Sequence, residues 1–174
     1  MPTPVAGGVA FSTIATDGYP NTDGLTCAIA ADSAAYCWGG NRLGELGDSS
    51  YLGSQATPQR VVGGLKFTAI TVGEAHACAL AVSGAAYCWG SGELLGNGAF
   101  VQMCGPTPCS TYPVPVSVVP SFTQLAAGLN YTCGLTAAGE AHCWGYNDSG
   151  QLGNGRLGYD ALPTVVLGGL HFST

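Results

Sequence analysis

Residues 78–90 read Cys-Ala-Leu-Ala-Val-Ser-Gly-Ala-Ala-Tyr-Cys-Trp-Gly, and this stretch decides the fold because the chain carries three versions of it. Residues 27–39 and 133–145 follow the same template. In each copy two cysteines enclose nine residues, and the second cysteine is followed directly by Trp-Gly. Self-similarity at a fixed period indicates an array of like units that bury their apolar faces against one another.

Each copy is preceded by a short predicted strand that begins at a phenylalanine. These residues are Phe11, Phe67 and Phe122, and Phe172 begins a fourth copy after a period of about 50 to 56 residues. Within a copy, the cysteine stretch predicts a hairpin that turns at a Ser-Gly or similar pair. A proline-led segment downstream, such as 57–62, predicts an edge strand. About four strands per unit is typical of a propeller blade.

The sequence therefore predicts an all-β fold of propeller-type blades, each with about four antiparallel strands. We expect three blades plus the start of a fourth, as an open array or as part of a larger propeller or assembly. The chain 1–174 is then a single repeat array. Its parts are blade 1 at about 7–62, blade 2 at about 63–118 with a stapled loop insertion at 97–112, blade 3 at about 119–167, and the first strand of a next blade at 168–174.

Composition supports an all-β chain and argues against several functions. The 28 glycines, 10 prolines and 8% of charged residues describe many tight turns with little solvated helix surface. The formal net charge is −6, and the four basic residues are scattered, so no cationic patch can neutralise phosphates. No stretch approaches the roughly 18 apolar residues of a membrane span. We expect neither a nucleic-acid partner nor membrane insertion.

Eight cysteines in 174 residues fit an oxidising compartment, in which disulfides persist. The expected location is extracellular, periplasmic or at the cell surface. Two cysteines on either side of a hairpin turn face each other on neighbouring strands, where the spacing suits a disulfide. Closing so short a loop contributes about 2–3 kcal/mol. We predict the pairs Cys27–Cys37, Cys78–Cys88 and Cys133–Cys143, with Cys104–Cys109 as a staple within the insertion.

The same residues argue against a metal, a cofactor and catalysis. Zinc needs closely spaced ligand pairs that converge on one site, and only Cys104 and Cys109 approach that spacing. The histidines of the hairpins, His76 and His142, occupy positions where other copies carry an aromatic residue. No copy offers a Ser/His/Asp set or a lone cysteine with a histidine partner. We predict a non-enzymatic chain without cofactor or metal.

A tryptophan that recurs once per blade favours packing between blades over a ligand platform. The predicted blade core is Trp38, Trp89 and Trp144 with Phe11, Phe67, Phe122 and Phe172.

The pattern Cys-Trp-Gly-x-Asn-x-x-Gly-Gln/Glu-Leu-Gly, at 37–47 and 143–153, resembles the signature of the regulator of chromosome condensation repeat family. The resemblance covers nearly the whole chain. It implies β-propeller blades, which in that family usually close as seven into a disc, and it implies protein binding through the faces of the disc. The founding member binds chromatin and drives nucleotide exchange on a small GTPase, a role that an acidic, cystine-rich chain fits poorly.

Two features are candidates for surface function or modification. The insertion from Phe100 to Tyr112 is a candidate contact surface, since loops tolerate growth and carry binding function, and a passive insertion is the equal alternative. Sequence patterns for sugar attachment also occur, with unmodified residues as the alternative. The candidates are Asn130 and Asn147 for N-linked sugar, and Thr107, Ser110 and Thr111 for O-linked sugar.

Three blades that do not close leave one uncovered blade face at each end. Further repeats of a longer protein, head-to-tail copies, or pairing of the terminal strands within one molecule could cover them. We predict an extracellular structural or interaction module that assembles end to end with like blades, as a ring or filament. Its partners are then like subunits or further repeats of the same protein. The alternative is a secreted propeller that binds another secreted protein on one face through the Cys104–Cys109 loop. Nucleotide exchange or chromatin binding is a distant third.

Overall fold

The computed structural model describes residues 3–17, 23–99, 101–117, 121–169 and 171. These residues form three antiparallel sheets that follow one another along the chain. The predicted all-β class is confirmed, as is the open array of blades with about four strands each. No helix among these residues is long and apolar enough to span a membrane.

The first sheet pairs its strands in chain order, so each strand is hydrogen-bonded to the next. Its central hairpin turns through Ser33, which has a positive φ of 66°. The turn is closed by a hydrogen bond from the amide of Ala30 to the carbonyl of Ala34. The strands of this sheet are β1 (Phe11–Thr16), β2 (Leu25–Ala30), β3 (Ala35–Gly39) and β4 (Gln55–Arg60).

The second sheet has five strands, because the insertion adds a strand to it. Segment 97–112 was expected as a stapled loop, but residues 102–104 and 107–112 lie in strands, while Phe100 lies outside the described residues. The last of these strands pairs with the hairpin as far as Ser91, which faces Cys109, and the strand at 102–104 pairs with its other side and forms the edge of the sheet. The elements are β5 (Phe67–Val72), β6 (His76–Ala81), β7 (Ala86–Ser91), a 3-10 helix (Gly92–Leu94), β8 (Gln102–Cys104) and β9 (Thr107–Pro115), in the order β5-β6-β7-β9-β8.

The third sheet repeats the four-stranded order of the first. Its strands are β10 (Phe122–Ala127), β11 (Tyr131–Thr136), β12 (Ala141–Asn147) and β13 (Gly158–Val165). The predicted first strand of a next blade, 168–174, falls largely outside the described residues, as does Phe172.

Each repeated cysteine pair sits at directly opposed positions of a hairpin. Cys27 faces Cys37, Cys78 faces Cys88, and Cys133 faces Cys143, with 4.1 Å between Cα atoms in each pair. Disulfides join all three pairs, and a fourth joins Cys104 to Cys109 at the end of the β8–β9 hairpin. The described chain has no free cysteine. The pairs in the structure are those that the spacing predicted.

The tryptophans of the second and third sheets join each sheet to the preceding one. The indole Nε1 of Trp89 donates to the carbonyl oxygen of Glu45 at 2.8 Å, and that of Trp144 donates to Leu94 at 3.1 Å. A Cβ at Gly47 would lie 2.9 Å from Nε1 of Trp89, and one at Gly96 would lie 2.8 Å from that of Trp144. The x-Leu-Gly turn thus ends in glycine because the indole of the next blade occupies the space of a side chain.

We expect Gly47→Ala to destabilise the fold more than Gly53→Ala. Both glycines have positive φ, 65° and 84°, so alanine costs about 1–2 kcal/mol of backbone strain at either position. Only at Gly47 does the new methyl group also meet a buried indole, which adds about 1–3 kcal/mol. Urea unfolding of the non-reduced proteins measures the difference, and equal losses for the two variants would contradict this account of the turn.

Candidate interaction surfaces

Two apolar junctions hold the three sheets together, and both use the same positions of the repeat. Each junction packs a cysteine, an Ile or Leu, and an alanine of one sheet against a phenylalanine, an Ile or Leu, and a tryptophan of the next. The first joins Cys27, Ile29 and Ala35 to Phe67, Ile70 and Trp89, and the second joins Cys78, Leu80 and Ala86 to Phe122, Leu125 and Trp144.

Each sheet therefore has two different apolar faces, since successive side chains of a strand point to opposite sides. We name the face with phenylalanine, Ile or Leu, and tryptophan the leading face. We name the face with cysteine, Ile or Leu, and alanine the trailing face. In sheet 2 the leading face is Phe67, Ile70 and Trp89, and the trailing face is Cys78, Leu80 and Ala86. Trailing faces pack on leading faces, so the array has a direction.

The leading face of sheet 1 has no sheet against it among the described residues. It consists of Phe11, Ile14 and Trp38, the positions that are covered in the other two sheets. The side chain of Ile14 is 61% exposed, and Trp38 is half-buried, whereas Trp89 and Trp144 are fully buried. Sheet 1 thus presents an apolar surface whose counterparts form the junctions.

The trailing face of sheet 3 is uncovered in the same way. It consists of Cys133, Leu135 and Ala141, which are all half-buried. Their six counterparts in sheets 1 and 2 are buried, the most exposed of them at 6%. The two ends of the array are therefore different surfaces, and each has the composition of one half of an internal junction.

The predicted blade core is assembled within each sheet as a phenylalanine–tryptophan pair. Ring centroids lie 5.8 Å apart for Phe11 and Trp38, 6.1 Å for Phe67 and Trp89, and 6.0 Å for Phe122 and Trp144. Sequence comparison between copies identified both members of every pair. It did not single out Ile14, Leu135 or Ala141, although aligning the three copies position by position would have placed them on the same faces.

The disulfide-closed hairpin of sheet 2 packs against sheet 1 and also faces solvent. The amide of Ser49 donates to the carbonyl of Thr111 at 2.9 Å, so this hairpin closes over the Gly-rich turn of the first blade. Met103 and Tyr112 remain 54% and 40% exposed. The insertion is thus anchored at its base and displays two large side chains.

Of the five predicted glycosylation sites, three are buried in the folded chain and two are half-buried. Asn147 is fully buried, donates to Asn154 and to the carbonyl of Arg156, and accepts from the amide of Leu152. Ser110 and Thr111 are 0% and 4% exposed. These three predictions are corrected, because a sugar needs an exposed attachment atom. Those for Asn130 and Thr107, both half-buried, stay predictions.

His76 lies inside the junction between sheets 2 and 3. Its Nε2 is hydrogen-bonded to Oγ1 of Thr132 at 2.8 Å, and its Nδ1 is buried without a hydrogen-bond partner in the described part of the chain. A Cβ at Gly73 would lie 2.3 Å from the imidazole Cε1, so the ring fills the space beside that glycine. Burial lowers the pKa of His76 to about 4, because the junction disfavours the charged imidazolium.

Other polar side chains with notable environments hold turns or junctions. A carboxylate oxygen of Glu45 accepts from the amide of Leu43 at 2.8 Å, and burial raises the pKa of that carboxyl. The hydroxyl of Tyr146 donates to the carboxylate of Glu93, which raises the pKa of Tyr146 to about 12. Within the described ranges, no three His, Cys, Asp or Glu side chains form a group that could hold a metal ion.

This geometry defines a class of protein, a directional array of β-propeller blades. Comparison with known families identifies the repeat, because the regulator of chromosome condensation (RCC1) repeat matches residues 32–80, 67–94 and 122–151. These matches together cover more than half of the chain. The chain belongs to the RCC1 repeat family.

Curated relatives include the human protein named probable E3 ubiquitin-protein ligase HERC3, which is 32% identical over 80% of this chain and 13% of its own length. The human regulator of chromosome condensation is 30% identical over 74% of this chain and 30% of its own length. The chain therefore spans less than a third of each of these relatives.

Solved structures show the same fold. Human WBSCR16 superposes with a TM-score of 0.78 at 24% identity, over 95% of this chain and 42% of that one. Prp20p from Saccharomyces cerevisiae superposes with a TM-score of 0.73 at 23% identity, over 83% of this chain and 36% of that one. The three sheets correspond to a part of these longer proteins.

We expect His76→Leu to reduce the pH dependence of stability between about pH 6.5 and pH 4. The folded-state pKa of His76 lies below its unfolded value, so the unfolded chain binds the extra proton in this window and stability falls as pH falls. The full contribution is present above about pH 6.5, and up to roughly 3 kcal/mol is lost by pH 4. Leucine is the residue at this position in sheet 1, where Leu25 is buried.

Urea unfolding at a series of pH values measures this effect. The variant lacks the hydrogen bond to Thr132 at every pH, but its stability curve is flatter in this window. His171→Asn removes an exposed histidine and serves as the control. Parallel curves for wild type and His76→Leu would show that His76 does not set the acid sensitivity.

Proposed function

We propose that this chain is a non-enzymatic structural and interaction module that works outside the reducing cytosol and joins end to end with like blades. One observation carries the proposal, the uncovered leading face of sheet 1 and the uncovered trailing face of sheet 3. Every other face of this kind in the described chain packs against its counterpart. A heterologous contact of this type makes a ring if the rotation closes and a filament if it does not.

The disulfides support an oxidising location. All eight cysteines are used, and three of the four disulfides tie together the two central strands of a sheet. Such bonds persist in extracellular and periplasmic environments and are rare where thiols are kept reduced. A chain with one staple per hairpin is suited to a durable assembly.

A protein-interaction role also agrees with what is known of relatives. Prp20p, which shares the fold, has binding properties toward Gsp1p and histones. Those particular partners fit this chain poorly, since it has four basic residues and a net charge of −6, which argues against a chromatin or nucleotide-exchange role. The enzymatic activity named for HERC3 is not proposed here, because this chain spans 13% of that protein.

A second candidate function is capture of another secreted protein on one face of the blades. The exposed Met103 and Tyr112 on the disulfide-closed hairpin favour it. Large side chains held by a rigid hairpin lose little conformational freedom on binding, which is the property of good interface anchors.

End-to-end joining predicts a mass that grows with concentration. We expect light scattering of the non-reduced protein to give particles larger than one chain, and electron micrographs of the same sample to show rings or fibres. Reduction of the disulfides should abolish both, because the cystines of the trailing faces lie inside the junctions. A compact monomer at all concentrations would contradict end-to-end assembly.

Ligand capture predicts a different sensitivity. We expect the double variant Met103→Ser, Tyr112→Ser to lose at least tenfold in affinity for a secreted protein retained by the wild type, while particle mass stays unchanged. Leu157→Ser, which removes a leucine that is 73% exposed just before β13, is the matched control. Unchanged capture by the double variant would remove the hairpin from this role.

A further inference from the structure

The uncovered trailing face of sheet 3 forms a groove. Its residues occupy the positions that form one side of each internal junction. A cavity of about 320 Å³ lies on this face, lined by Gln124, Cys133, Leu135, Ala141 and their neighbours. The positions that correspond to Cys133, Leu135 and Ala141 in sheet 1 are Cys27, Ile29 and Ala35, which pack against the leading face of sheet 2. The groove is therefore the place that a leading face fills elsewhere in the molecule.

A polar acceptor lies at the matching place beside this groove. In the internal junctions the indole N–H of a tryptophan binds the residue before Leu-Gly, which is Glu45 in one blade and Leu94 in the next. The third blade has Gln151 at this position, followed by Leu152 and Gly153. Gly153 has a positive φ of 62°, like Gly47 and Gly96, but the side chain nearest to a Cβ built there is that of Val166, at 3.0 Å, where the other two blades have an indole.

The complementary donor is at the other end of the chain. Trp38 occupies the position of Trp89 and Trp144, and its indole N–H makes no hydrogen bond to any described residue. Ile14 occupies the position of Ile70 and Leu125 and is 61% exposed.

We propose that the occupant of the sheet 3 groove is the leading face of a second copy of this chain. Ile14 of that copy enters the groove, and its Trp38 donates to the carbonyl oxygen of Gln151 while the indole packs on Val166 beside Gly153. This inference rests on the proposed function and specifies its partner, its residues and its direction. The two internal junctions supply the geometry, and continuity with them is the argument for a like blade as the occupant.

The apolar character of the faces explains why copies of equal charge can associate. Each chain carries a net charge of −6, which opposes association at long range. The contact itself is made by aliphatic and aromatic side chains and one neutral hydrogen bond, so screening of the net charge favours it. Association should therefore be retained or strengthened as salt is raised.

Two charge substitutions test the junction from opposite sides. Ile14→Glu places a carboxylate on the leading face, and Ala141→Glu places one in the groove. Neither side chain is fully buried in one copy, so both variants are expected to fold. Each variant alone should remain a single chain, with association weakened at least tenfold, because burying an unpaired charge is strongly unfavourable. Leu52→Glu and Ala137→Glu, which charge exposed positions away from both faces, are the controls and should assemble like wild type.

Mixing the two variants gives the decisive result. The Ile14→Glu chain keeps an intact groove and the Ala141→Glu chain keeps an intact leading face, so a 1:1 mixture should form a dimer of two chains and nothing larger. The tryptophan emission of this mixture should shift to shorter wavelength. That shift belongs to Trp38, because Trp89 and Trp144 are already fully buried.

The outcomes separate this inference from the proposed function. If wild type assembles and both variants assemble equally well, another surface joins the copies and the junction described here is wrong. If the variants stay single and the mixture forms no dimer, the two faces do not bind each other and the junction is again wrong. If wild type itself remains a monomer at every concentration, assembly from copies of this chain is excluded along with the junction.

Discussion

The array depends on one contact, the indole of a blade's tryptophan against the x-Leu-Gly turn of the preceding blade. The N–H of Trp89 or Trp144 is satisfied by a backbone carbonyl, and the ring takes the space that a side chain at Gly47 or Gly96 would fill. A buried indole with an unsatisfied N–H would be costly, so the carbonyl and the glycine are required together. This coupling explains why the motif recurs as a unit along the chain.

The cysteines that form the hairpin disulfides also form part of the apolar junctions between sheets. Cys27 and Cys78 are fully buried, and each belongs to an apolar cluster that spans two sheets. Each cystine therefore ties the central hairpin of a blade and supplies part of the surface that receives the next blade. A chain with so few charged residues gains both local rigidity and apolar area from the same two side chains.

Departures from the repeat mark what is particular to this protein. The hairpin closed by Cys104 and Cys109 widens sheet 2 by one strand and covers the turn of blade 1. His76 replaces the leucine and tyrosine of the other copies inside a junction and brings an ionisable group there, bonded to Thr132. Both changes lie where neighbouring blades meet, so they alter how those blades fit together.

The sequence by itself determined the blade, the period and the cysteine partners, because strand alternation and hairpin geometry are local and were repeated three times. It also identified the Phe–Trp pairs. Only the tertiary structure decided that Ile14 and Trp38 are uncovered while Ile70 and Trp89 are buried, since equivalent residues of a repeat differ only in what packs on them. It likewise decided that Asn147, Ser110 and Thr111 are buried and that the insertion is a strand, because burial and edge pairing depend on the neighbouring blade, which lies far away in sequence.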